Sequence, residues 1–122
     1  MRLAMALLVG LVLPGVARAD TTKTEEDVNR LIAVTRLGDA RALYGQDAIV
    51  TAYIQGVIRG LITQNELGSA RSWCPPNNVI INVDLVFAAI TADNNGTEDT
   101  AFLADFGLYA LPGLERMFPC GA

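Results

Sequence analysis

The chain has 122 residues, 52% of them hydrophobic, with nine basic side chains against thirteen acidic ones and no histidine. A net charge of −4 with a single lysine, Lys23, argues against a nucleic-acid or anionic-membrane surface, because both need clustered Lys and Arg. The lack of histidine excludes a Ser–His–Asp triad, and two cysteines far apart make no zinc-type ligand set, so no cofactor or metal is expected.

Met1 and Arg2 precede the apolar run LAMALLVGLVL, then Pro14, Gly15 and an A-x-A site at Ala17–Arg18–Ala19. This reads as a secretory leader over residues 1–19, cleaved before Asp20. The run is too short to span a bilayer, which takes about 20 residues. Residues 20–122 are then an exported chain forming one small helical domain, more acidic than the whole because Arg2 and Arg18 leave with the leader. In an exported chain Cys74 and Cys120 most simply form one disulfide. The rival is a pair of free thiols, for which only Arg71 or a helix N-terminus offers activation.

The elements run as follows. Thr24 followed by Glu25, Glu26 and Asp27 predicts a helix start, with a hydroxyl cap and acids in the first turn. Val28, Leu31, Ile32 and Thr35 continue it, and Gly38 is expected to end it. The stretch DARALYGQ reads as a short turn-rich link of about one helical turn. Ile49, Ala52, Tyr53, Gly56, Val57, Gly60 and Leu61 then keep helical spacing along one stripe. Gly in a helix interior costs about 1 kcal/mol relative to Ala. Gly56 and Gly60 on that stripe, beside Tyr53, therefore predict a close helix crossing there.

Asn65–Trp73 reads as a loop. The run VIINVDLVFAAI alternates as a strand would, yet its length favours a helix that opens behind Pro75 and Pro76. Asn95–Gly96 marks a turn, and Thr97 with Glu98 and Asp99 predicts the start of a last helix. Phe102, Leu103, Phe106, Tyr109, Ala110 and Leu114 line that helix, and Pro112–Gly113 should kink or break it. The fold class is all-α, about four helices with one disulfide. The acidic pairs Glu25/Glu26 and Glu98/Asp99 fall at helix starts, where the helix dipole accounts for them, so no catalytic residue is assigned.

The order AYIQGVIRGL, then CPPNNV, then LERMFPC resembles the Rap/Tai-type periplasmic immunity proteins of bacterial type VI secretion. The family's Tyr-x-x-Gly falls on Tyr53–Gly56, its C-x-P turn on Cys74–Pro76, and its terminal F-P-C on Phe118–Cys120. Residues 40–120 carry the resemblance. Two further cysteines common in relatives are missing from ARALYGQDAIVTAY, which leaves one disulfide.

The resemblance implies a periplasmic, non-enzymatic protein that plugs the cleft of a peptidoglycan amidase effector. It also implies a homodimer, which the Gly56/Gly60 face would serve as well as a core. The candidate partner contacts are Arg71 and Trp73 on the first loop and Asp93, Asn94 and Glu98 on the next. Trp73 is either a contact, since Trp and Arg are enriched at hot spots, or a cap on the core. Two other readings fit the same scaffold: an acid-activated periplasmic chaperone, and an envelope protein without a toxin partner.

Overall fold

A computed structural model describes residues 24–94 and 100–121, with the side chain of Asn94 excepted. The proposed leader, its cleavage site, the Asn95–Gly96 turn and Glu98 lie outside the described residues. Five α-helices and a 3₁₀ turn make up the described chain: α1 (Glu25–Val34), α2 (Leu37–Leu43), α3 (Ala48–Leu67), α4 (Val83–Asn94), the 3₁₀ turn (Leu103–Asp105) and α5 (Phe106–Met117). The all-α class and the single disulfide hold, with one helix more than the sequence predicts.

Thr24 caps α1: its Oγ1 accepts the Asp27 N–H at 3.2 Å. The chain divides at Arg30, and Leu31 onward forms its own compact unit. Helix α1 stops at Val34, before Gly38, because residues 35–37 pair with residues 101–103 instead of continuing the helix. Leu37 N–H donates to Ala101 O at 2.9 Å, and Leu103 N–H donates to Thr35 O at 2.7 Å. Gly38 falls inside α2, and the expected short link is two helical turns. Gly45, at φ +85°, makes the turn into α3. Asp47 then caps α3, its Oδ1 accepting the N–H groups of Ile49 and Val50 at 2.9 and 3.0 Å.

Helix α3 exists where the apolar spacing places it, but its face is turned. Val50, Ile54, Ile58 and Asn65 are its buried residues. Tyr53, Val57 and Leu61 only flank the core, while Gly56 and Gly60 are exposed, with open space where a Cβ would stand. The expected close crossing at these two glycines is not there. Gly has no side chain to bury, so counting it as apolar rotates the inferred face away from the columns that carry real area.

The crossing occurs at Gly113 of α5. A Cβ there would lie 2.7 Å from Ala89 O and 3.1 Å from Ile90 N, so the α4 backbone packs directly on the glycine. Pro112 does not break α5, which runs on to Met117. Pro112 is exposed, so the carbonyl four residues back, which loses its donor, faces water. The rest of the core is aromatic and aliphatic: Phe87 and Phe106 meet at 5.4 Å between ring centroids, with Leu37, Ile54, Ile90, Leu103 and Leu114 around them.

The run VIINVDLVFAAI is split. Helix α4 begins only at Val83, capped by Asn82, whose Oδ1 accepts the Leu85 N–H at 2.9 Å, and it continues through Thr91–Asn94. Pro75 and Pro76 therefore belong to a non-helical segment well before α4. The last helix starts at Phe106 after the 3₁₀ turn, so Thr100–Phe102 is not its first turn.

Candidate functional site

The most constrained irregular segment follows α3. Asn65, the last buried residue of that helix, reaches out of its own turn and binds the returning chain. Its Oδ1 accepts the N–H of Ser72 at 2.9 Å and that of Trp73 at 3.3 Å, and its Nδ2 donates to Trp73 O at 2.7 Å. Three bonds from one amide satisfy a buried backbone stretch that no helix or sheet serves. Immediately beyond, Cys74 N–H donates to Phe118 O at 2.8 Å, and Cys74 joins Cys120 covalently. Gly68–Ser72 is thus an exposed loop whose return limb is tied to α3 and to the end of the chain.

Trp73 is the floor of this arrangement. It is 1% exposed, among the largest fully buried side chains, and its Nε1–H meets no acceptor among the described residues. It is therefore buried against the core, with almost none of its surface exposed. A cavity of about 330 Å³ lies on one side, lined by Leu61, Gln64, Ser69, Ser72, Trp73 and Leu111 among others. A second, of about 190 Å³, lies on the other side, toward Arg71, Pro75 and Pro76.

Of the sequence-predicted contacts, Arg71 is exposed on the loop. Asp93 sits half-buried on α4 and pairs with Arg116 of α5 at 3.1 Å. That pair joins the ends of α4 and α5, so Asp93 has a structural role. Asn94 ends α4, and Glu98 lies outside the described residues. Tyr53 keeps a packing role: its hydroxyl donates to Ala104 O at 3.1 Å, tying α3 to the 3₁₀ turn. Burial, and secondarily the nearby Asp105 charge, push its phenol above the ordinary value.

Sequence reasoning missed Asn65. Its signal is faint: one Asn in the last turn of a helix, eight residues before the only Trp. Among the described residues no three Asp, Glu or Cys side chains gather as a metal ligand set, and no helix is long and apolar enough to cross a membrane. Comparison with protein-family models, with curated proteins and with solved structures finds no match for this chain.

Proposed function

We propose that this chain is an exported, non-catalytic binding protein of the periplasm. It protects a bacterium by occluding the cleft of a type VI secreted peptidoglycan amidase. The observation that carries the reading is the tethered loop. Gly68–Ser72 is exposed, yet Asn65 and the Cys74–Cys120 bond fix its return limb. A loop held in one shape loses little entropy on docking, which is what a stoichiometric inhibitor needs. The Tyr53–Gly56, Cys74–Pro76 and Phe118–Cys120 signatures support the reading as scaffold. The open Gly56/Gly60 surface is the face a second copy would use.

The test is inhibition of purified type VI amidases by the oxidised 20–122 protein, read as loss of peptidoglycan cleavage. Tight one-to-one inhibition of one enzyme, weakened at least tenfold by Arg71→Ala, is expected. A folded, oxidised protein that inhibits none of them would overturn the proposal.

A further inference from the structure

The non-helical segment between Trp73 and α4 forms a groove with α3. Its wall on α3 is Gln55, Arg59, Ile62 and Glu66, spaced so that all four share one face. The other wall is Arg71, the two prolines, Val79 and Ile81. Two cavities of about 190 and 290 Å³ make up the groove, and both include Ile62 and Ile81, so the apolar floor is continuous.

Two features of this groove are incomplete within the chain. The first is charge. Arg30 pairs with Glu26, Arg116 with Asp93, Arg36 lies over the Phe102 ring and Arg41 over the Phe87 ring. Arg59 and Arg71 are exposed and have no such partner among the described residues, and both line the groove, Arg59 in one cavity and Arg71 in the other. Among the described residues these two unengaged guanidinium groups thus lie along one channel, with Glu66 the carboxylate that lines it. The second is backbone. Ile80 and Ile81 neither donate nor accept a backbone hydrogen bond among the described residues, and the Ile80 side chain is 81% exposed. A β-branched segment with open N–H and C=O groups is suited to pair with an added extended chain.

We infer that this groove binds an extended peptide segment of another protein, one that alternates acidic and apolar side chains. Its apolar residues would lie over Ile62 and Ile81, its carboxylates would meet Arg59 and Arg71, and its backbone would pair with Ile80, whose N–H and C=O face one edge of the segment. Guanidinium groups suit carboxylates because two N–H donors match two oxygens. The inference does not rest on amidase inhibition, and its test contains no amidase, so either can fail alone.

The test is a fluorescence-anisotropy titration of the oxidised protein with a labelled nonapeptide alternating glutamate and valine, beside its lysine–valine counterpart. The glutamate peptide should bind about tenfold more tightly than the lysine one, and more weakly as salt rises. Arg59→Ala with Arg71→Ala should weaken it by about tenfold or more; both side chains are exposed, so the variant keeps the fold. Equal binding of both peptides, no binding at millimolar protein, or full binding by the double arginine variant would each overturn the inference. So would arginine-dependent binding to phosphatidylglycerol vesicles with none to the glutamate peptide, which would mark a lipid-headgroup site.

Discussion

Gly113 of α5 rests on the Ala89 carbonyl of α4, where a Cβ would stand 2.7 Å from the oxygen. Gly113→Ala must therefore push two helix backbones apart, and it should cost about 1–3 kcal/mol. Gly56→Ala and Gly60→Ala meet only open space and should stabilise the isolated chain, by up to about 1 kcal/mol each, through helix propensity. Urea midpoints of the three variants check both signs at once.

Asn65→Ala removes the acceptor for two backbone N–H groups and the donor to Trp73 O. Leaving buried polar groups unpaired should cost about 2 kcal/mol. Asn65→Asp is expected to be at least as harmful: it keeps an acceptor for Ser72 and Trp73 but sets a carboxylate oxygen against the Trp73 carbonyl. Hydrogen exchange at the Ser72 and Trp73 amides should quicken in both variants, with α4 and α5 protected until global unfolding.

The Cys74–Cys120 crosslink spans a sequence separation of 46. In the chain-entropy account, a loop of that size constrains the unfolded state by about 4 kcal/mol. Reduction, or Cys74→Ser with Cys120→Ser, should lower stability by roughly that amount. If the tethered loop is the inhibitory element, inhibition should fall further than the loss of folded protein explains.

Alkaline stability should depend on Tyr53. Burial first and Asp105 second raise its phenol above the ordinary value of 10.0, and the neutral hydroxyl is what donates to Ala104 O. With the folded value raised, the fold holds the proton longer than the unfolded chain does. The contribution is complete below about pH 10 and is lost as pH rises through the folded value. Tyr53→Phe should therefore be less stable at neutral pH and should lose less stability between pH 10 and 12. Denaturant midpoints across that range, native against variant, read the difference.

The helices that carry distinct caps were legible in the sequence: Thr24 starts α1, and the apolar spacing locates α3. The alternating apolar letters behind Pro76 were not, because the same residues fit a strand, a helix or neither. Tertiary context gave Val79–Asn82 to an irregular wall and Val83–Asn94 to a helix. The facing of α3 failed for a different reason. Columns 49/53/57/61 and 50/54/58 are both apolar, and only the packing partners choose between them. Gly38, Pro112 and Gly113 all stand inside helices, where local propensity reads them as breaks; packing and an exposed proline face overrode it. Of the candidate surface, the exposure of Arg71 was legible from its loop, whereas Asn65 acts through bonds to residues seven and eight places on, which no short window of sequence displays.

Trp73 is the chain's only tryptophan, and it lies between the tethered loop and the core while lining the cavities on both sides. Its emission therefore belongs to a single buried indole. Any event that admits water there, whether loop release, disulfide reduction or a ligand seating in either cavity, changes the light from that one ring. The molecule carries its own optical gauge, placed where its proposed partners would bind.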